Sequence, residues 1–346
     1  MHSNNRSEEV RFDWHIRAFN QEDIPGIATL FDAADRADHL YKLSSEEDIR
    51  ESFGNIPSNA TTRVIVAVGP SQPGTYETGV LGLGRVMTQF HSSTQERVYQ
   101  VMLRVHPSAR PQGLQHTIAR QLVEIARDLE SDPSTQPAGK VRVLTYVFGS
   151  QTSSIEALEQ LGLRRVRTGW TMGRRLSEPI QVATAPDGVI LRTYRHPEDN
   201  QRALDAFNSA LAGYYDFHPV SRSSWEREMA APYSRPDLSW LALSEAAPDE
   251  VIGVAGCQVN ESQNRKAGRL EGWVEGIGVI PAFRHRSVGK ALLSRCLQSF
   301  RDEGLEFALA DVDSESMPAV GLFRWAGFSV RSALLQYECA LEDIQF

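Results

Sequence analysis

The residues with the clearest chemical potential lie in GIGVIPAFRHRSVGKALLSRCL, residues 276–297. An apolar strand ends at Val279, and Pro281 stops it because proline cannot donate to a ladder. The loop from Arg284 to Lys290 then runs straight into a helical pattern with Leu292, Leu293, Cys296, Leu297 and Phe300 on one face. The first N–H groups of such a helix have no internal partner and point at whatever lies ahead of them. Ser287 and Gly289 are small enough for backbone to approach an anion closely. Arg284, Arg286 and Lys290 supply positive charge. That combination suits a phosphate or pyrophosphate; the plain alternative is a strand–helix turn carrying a solvated basic patch.

Positioning such a loop requires a strand before it and a helix after it, and the chain supplies that arrangement twice. Val105-His106-Pro107-Ser108-Ala109-Arg110 is echoed by Val279-Ile280-Pro281-Ala282-Phe283-Arg284, 174 positions later. His15-Ile16-Arg17-Ala18-Phe19 is echoed by Ile190-Leu191-Arg192-Thr193-Tyr194, and Leu161-Gly162-Leu163 by Ala326-Gly327-Phe328. Three echoes in one order predict two homologous domains, 1–178 and 179–346, joined where Pro179, Pro186 and Gly188 punctuate the chain. Periodicity within the second gives strands at 189–194, 239–244, 251–259 and 270–279, a helix at 288–303, a strand at 307–312, a helix at 317–325 and a last strand at 328–340. The first repeats this order and closes with a strand at 164–174. Antiparallel hairpins followed by a β-α-β segment describe an α+β fold, each domain a mixed, mostly antiparallel sheet flanked by helices.

Composition narrows the function. The 36 Lys and Arg stand against 44 Asp and Glu, a net charge of −8. Before and including Glu178 there are 20 basic and 21 acidic residues, so 36 − 20 = 16 and 44 − 21 = 23 follow it. A sequence-independent nucleic-acid binder needs a basic excess, so no nucleic-acid partner is expected. The 3 cysteines, Cys257, Cys296 and Cys339, form no CxxC pair, which argues against a disulfide framework or a structural metal. No apolar run approaches membrane-spanning length, and the first residues read as a short polar tail rather than a secretory signal. A cytoplasmic monomer or homodimer acting on a small molecule is the expectation.

The pattern Val279-x-Pro281-x-x-Arg284-x-x-Ser287-Val288-Gly289-Lys290 resembles the coenzyme loop of the GNAT N-acetyltransferases. Val312 to Phe328, with Ser316, Ala319, Leu322, Phe323 and Gly327-Phe328 at family spacing, resembles their following helix. The double arrangement is similar to that of mycothiol synthase-like tandem acetyltransferases. The resemblance implies acetyl-CoA as co-substrate and no metal. Ile277, Gly278, Val279, Arg284, His285, Arg286, Ser287, Val288, Gly289, Lys290 and Phe323 then become the coenzyme-binding positions.

Departures from the family carry information. Ser287 stands where glycine is usual, Ser316 where asparagine is usual, and Phe323 where many members hold a tyrosine that protonates the departing thiolate. Phenylalanine has no proton to give, which leaves Ser316, Tyr337 or an unaided thiolate. In the first domain Pro111 removes an N–H, Gln115 replaces the tiny residue and Leu158 stands in the tyrosine position, so that copy is expected to be degenerate.

Acyl transfer to an amine needs a base to take its proton. Strict alternation puts Glu271, Trp273 and Glu275 on one strand face, with Glu275 nearer the acyl end and the preferred base. The alternative is that both glutamates are edge charges or amine-binding anions. Tyr214, Tyr215, Asp216, Phe217 and His218 form an aromatic loop suited to the acceptor, with Tyr215, His218, Glu271 and Trp273 as substrate contacts. A non-catalytic acyl-CoA sensor with a degenerate acetyltransferase fold is the competing reading.

Overall fold

The structure is a computed structural model that describes residues 14–40, 44, 46–54, 62–70, 78–91, 94–215 and 217–345. The polar tail and Asp216 lie outside these residues. Along the chain the first set of elements is β1 (His15–Ala18), α1 (Ile24–Ala37), α2 (Glu46–Gly54), β2 (Thr62–Pro70), β3 (Thr78–His91), β4 (Glu96–Val105), α3 (Leu114–Ser131), β5 (Lys140–Phe148), α4 (Thr152–Gln160) and β6 (Arg164–Arg175). The second set is β7 (Val189–Thr193), α5 (Asn200–Leu211), α6 (Arg222–Met229), β8 (Trp240–Ser244), β9 (Val251–Gln258), α7 (Glu261–Ala267), β10 (Glu271–Val279), α8 (Val288–Asp302), β11 (Phe307–Asp313), α9 (Met317–Trp325) and β12 (Ser329–Ala340). The short helix α7 carries no apolar stripe, and periodicity does not find it.

Two compact units result. Unit 1 is Met1–Arg167 with Leu334–Phe346; unit 2 is Thr168–Ala333. The division drawn from sequence, at 178/179, falls just after β6. The terminal strands, expected to close their own domains, do the reverse. Leu334–Ala340 of β12 pairs antiparallel with β5 in unit 1. Gly169–Arg175 of β6 pairs antiparallel with β11 in unit 2. A strand has the same period whichever edge it joins, so side-chain pattern alone does not assign it a partner.

Each sheet follows the same plan. In unit 1, β1, β2, β3 and β4 are antiparallel neighbours and β5 runs parallel to β4. In unit 2, β7, β8, β9 and β10 are antiparallel neighbours and β11 runs parallel to β10. Even an irregularity repeats. The register slips between Ala67 and Val68 opposite β3, and between Ala242 and Leu243 opposite β9. The extra residues, Leu81 and Ile252, each accept a hydrogen bond from the residue just after the central strand, His106 at 2.8 Å and Ile280 at 3.0 Å. The repeated V-x-P segment is thereby pinned to the same place in both units.

In unit 2 the sheet is packed on both faces. α8 buries Val288, Ala291, Leu292, Leu293, Cys296, Leu297 and Phe300 against Val274, Ala308 and Ala310. Each fully buried leucine there stabilises the unit by roughly 1.5–3 kcal/mol. α5 and α6 cover the other face through Ala203, Leu204, Ala206 and Trp225. α5 approaches β10 at its glycines: a Cβ on Gly278 would lie 2.8 Å from the Ala210 Cβ, and one on Gly276 2.9 Å from the Phe207 ring. The run EGIGV therefore sets the distance from strand to helix.

This spacing yields a prediction. Gly278→Val should destabilise the protein by about 1–3 kcal/mol through overpacking, read as a lower urea midpoint at unchanged slope. An unchanged midpoint would mean that α5 does not rest on β10 at this position.

Candidate active site

The strand–loop–helix segment of unit 2 has an open backbone. A 3-10 turn, Pro281–Phe283, follows β10, and Arg284 is extended at φ −67, ψ 161. His285 and Ser287 then take left-handed conformations, φ +61 and φ +65. That region costs a side-chain-bearing residue on the order of 1 kcal/mol, a strain found at ligand clamps. The first backbone bond into α8 is from the Ala291 N–H to the Ser287 carbonyl, 3.0 Å. Among the described residues, the N–H groups of His285, Arg286, Ser287, Val288, Gly289 and Lys290 have no backbone acceptor. Six donors converge on one loop beside the positive end of a helix.

Unit 1 closes the same segment. Pro107–Gln112 is a continuous 3-10 turn, and Gly113, φ +79, stands where Ser287 stands in unit 2. The Gly113 N–H is already bonded to the Arg110 carbonyl, 3.1 Å, and Pro111 has no N–H. Gln115, in the place of Gly289, is 2% exposed and donates from Nε2 to Ser153 Oγ at 2.8 Å, at the start of α4. Here the protein's own amide fills the helix approach. A Cβ on Gly289, by contrast, would make only ordinary contacts, 3.6 Å to Leu322 and 3.8 Å to Val279.

The basic residues divide by role. Arg284 donates to the carbonyls of Val279 at 3.1 Å and Ala210 at 2.7 Å, so it ties the end of β10 to the end of α5. Arg110 does the same at Val105, 3.2 Å, and pairs with Asp38. This arginine is a brace, whatever else its exposed face touches. Arg286 lies 5.3 Å over the Phe283 ring and Lys290 5.0 Å over Trp325. Neither has a carboxylate partner among the described residues, so both charges are available to an anion at the loop.

Above the loop the sheet splits open. β10 and β11 pair only from Glu271 to Trp273 against Phe307 to Leu309. From Val274 to Val279 that edge of β10 has no strand partner among the described residues, a row of amide groups suited to an extended chain bearing amides of its own. The split coincides with a bulge in β10, where the register against β9 slips between Val274 and Gly276 and leaves Glu275 as the extra residue. The bulge corrects the alternation expected from sequence. Beyond it, Ile277 and Val279 pack on the α8 side with Val274, while Gly276 and Gly278 face α5. Glu275 is exposed at the mouth of the split, whereas Trp273 is 6% exposed and Glu271 is 5% exposed. Glu271 is held by Arg269 at 3.0 Å. The three residues do not form one solvent-facing row.

The other candidates fall as follows. Ile277, Gly278 and Val279 line the open edge, and Ser316 sits at the start of α9 just beyond the divergent end of β11, its N–H bonded to the Asp313 carbonyl at 3.1 Å. Phe323 is buried and meets Phe328 edge-on with ring centroids 5.1 Å apart, so its ring is part of the core. Tyr337 belongs to unit 1, where Glu159 accepts its hydroxyl hydrogen at 2.8 Å. Burial, with that carboxylate, pushes the Tyr337 phenol above its ordinary pKa. Tyr215 is exposed and His218 partly buried on the loop after α5. That loop is clamped by Asn208, which bonds both the N–H and the carbonyl of Val220, 2.9 and 3.0 Å. Phe217 stacks edge-on against Phe207, 6.4 Å, so the aromatic loop and the open stretch of β10 share α5 as a common wall. Phe207 was not singled out by sequence; its signal was a helix-facing position opposite a strand glycine. Among the described residues no group of three or more His, Cys, Asp or Glu is placed to hold a metal, and no helix is long and apolar enough to cross a membrane.

Known proteins resemble this chain in sequence and in fold. The model of the acetyltransferase (GNAT) family matches residues 203–328, wholly within unit 2. A mycothiol acetyltransferase of Segniliparus rotundus is 33% identical over 245 residues, covering 68% of this chain and 83% of that protein. The chain belongs to the GNAT acetyltransferase family. A mycothiol acetyltransferase of Nocardia farcinica is 29% identical over 197 residues, 56% of this chain and 62% of its own length. The crystal structure of a GCN5-related N-acetyltransferase from Sphaerobacter thermophilus shares the fold at TM-score 0.74 and 23% identity, covering 95% of this chain and 96% of that one. The GNAT fold is thus present in tandem, and acetyltransferase membership rests on sequence as well as shape.

Because a Cβ at position 289 would make only ordinary contacts in the protein, Gly289→Gln tests the ligand's demand for space. The variant should fold normally and bind CoA at least tenfold more weakly, a loss of about 1.4 kcal/mol, by calorimetric titration. Unchanged affinity would remove Gly289 from the coenzyme's path.

Proposed function

We propose that unit 2 is an acyl-CoA-dependent N-acyltransferase, using acetyl-CoA and acting on the amine of a small molecule by direct transfer. The observation that carries this reading is the set of six N–H groups from His285 to Lys290 opening beside an unpaired strand edge. The residues fit the coenzyme: Ser287, Val288, Gly289 and Lys290 would hold its diphosphate, with Arg286 beside them. The edge from Val274 to Val279 would hold its amide-bearing arm. Bound there, acetyl-CoA supplies a thioester acyl group.

The chain's own residues account for the rest. An N–H on the rigid β10 edge near Val279 can donate to the acyl oxygen as negative charge develops there. Glu275, turned out by the bulge, takes a proton from the acceptor's ammonium, directly or through a water, so that the neutral amine can attack. Glu271 is paired with Arg269 and serves the strand rather than the proton. The α5 wall and the loop bearing Tyr215 and His218 form the acceptor side. Phe323 offers no proton and lies in the core, which leaves the α9 N-terminus and the Ser316 hydroxyl as the groups that would stabilise or protonate a leaving thiolate. The similarity to mycothiol acetyltransferases directs the acceptor screen first to mycothiol-related amines. For unit 1, the closed loop and Gln115 favour a structural copy.

Glu275→Gln should lower kcat by about 10²–10⁴-fold while CoA affinity stays nearly constant, and the loss should shrink as pH rises because more amine is then neutral. Glu271→Gln should do less to kcat. Steady-state kinetics across pH checks this; an unimpaired Glu275→Gln enzyme would remove the base from the bulge.

A further inference from the structure

Beneath α1 and α2, the sheet face of unit 1 carries two arginines among apolar side chains. Arg85 on β3 stands opposite Val64 of β2 and Met102 of β4. Arg104 on β4 stands opposite Leu83, two residues from Arg85, so all five share one face. Ile27, Phe31, Phe53, Val64 and Leu83 form the surrounding core. The Arg85 guanidinium lies 5.3 Å over the Phe53 ring and that of Arg104 5.5 Å over Phe31. Phe31 and Phe53 meet edge-on at 6.3 Å, and Phe19 closes on Phe53 at 6.2 Å.

The charges here do not balance. Asp35 reaches Arg104 Nε at 3.7 Å, beyond a good hydrogen bond. Asp38, the next carboxylate, is held by Arg110. Arg85 has no carboxylate partner among the described residues, and its Nε is buried without an acceptor; Arg104 Nε also lacks a hydrogen-bond acceptor, while its Nη1 donates to the Leu103 carbonyl at 3.2 Å and Asp35 is its ion-pair partner. Burial lowers the pKa of both guanidinium groups, which marks the environment as poorly hydrated. A cation held among apolar side chains without a counter-ion, as Arg85 is among the described residues, is costly, and replacing such a group by a well-packed apolar side chain is often neutral or stabilising. The fold does not require the charge. At the positions 174 residues on from Met102 and Arg104, unit 2 has Gly276 and Gly278, with Phe207 and Ala210 packed against them.

We propose that unit 1 binds a small carboxylate carried on a flat apolar body, with Arg85 and Arg104 taking the carboxylate and Phe19, Phe31 and Phe53 walling the body. Two guanidinium forks match the two oxygens of a carboxylate, and the aromatic rings favour a planar group of ring size. The site lies on the opposite side of the sheet from α3, so it is separate from the loop that matches the coenzyme segment. It is independent of the reaction proposed for unit 2.

The test uses the full chain, with benzoate as probe and inorganic phosphate as the apolar-free anion, at fixed chloride. Calorimetry should show saturable benzoate binding at one site per chain, and phosphate should bind at least tenfold more weakly. Arg85→Met, which keeps the apolar stem, should weaken benzoate at least tenfold and leave CoA affinity unchanged. Without ligand the variant should melt at or above the wild-type temperature, since a partly buried charge with no carboxylate partner among the described residues has been removed. Absence of benzoate binding to the wild type, equal binding to Arg85→Met, or phosphate binding as tightly as benzoate would each overturn the proposal. So would a ligand-free variant that melts well below the wild type, which would make Arg85 a packing residue.

Discussion

The parting of β10 from β11 after Trp273 is the constraint from which the rest of unit 2 follows. Backbone amides removed from a ladder must find other partners, because leaving them unpaired costs as much as a lost hydrogen bond. The sheet cannot satisfy them, since β11 turns its far edge to Gly169–Arg175 of β6. The bulge at Glu275 lets β10 bend away while still pairing with β9 through Gly276–Val279. Gly276 and Gly278 then admit α5 close behind the opened stretch, and Arg284 locks the two together at Val279 and Ala210. What remains is a strand edge and a helix start, both rich in donors, meeting at one loop.

Unit 1 shows that the scaffold alone does not make this site. It has the same parting, since β4 and β5 pair only from Glu96 to Gln100 against Lys140 to Leu144. It has the same arginine brace and a left-handed residue at the helix start. The differences are local: Pro111 lacks an N–H, Gly113 spends its own, and Gln115 fills the gap to α4. These three positions take donors or space from the loop of unit 1, although the N–H groups of Leu114, Gln115 and His116 at its helix start also have no backbone acceptor among the described residues. On the reading proposed for unit 2, a few backbone donors rather than the sheet distinguish the two copies.

Much of this was readable from residues. The 174-residue echo works because it compares like with like, and the V-x-P segments land at the same pinned positions, His106 and Ile280. The loop was legible because a strand stop, small residues and an amphipathic helix are each local signals. The bulge was not, since reading Glu271, Trp273 and Glu275 as one face assumes unbroken alternation. Gly276 just after Glu275 was the available hint, as glycine within a strand often marks a bulge. The role of Arg284 was hidden because a charge at a loop reads as a ligand contact, while its acceptors are carbonyls 5 and 74 positions away in the chain. The placing of Leu334–Ala340 in unit 1 was likewise beyond any local pattern, since edge choice is a tertiary decision.

The central claim is that the free N–H groups from His285 to Lys290 are the coenzyme's cradle, and that unit 1, whose loop lacks the donors at Pro111 and Gly113 and holds Gln115 at the helix start, does not bind it. Amide hydrogen exchange on the full chain, with and without saturating CoA, tests it most directly. The account predicts strong added protection in peptides spanning residues 285–290 and none in those spanning 107–116. Protection of the 107–116 segment, or unchanged exchange at 285–290 with CoA bound, would contradict it.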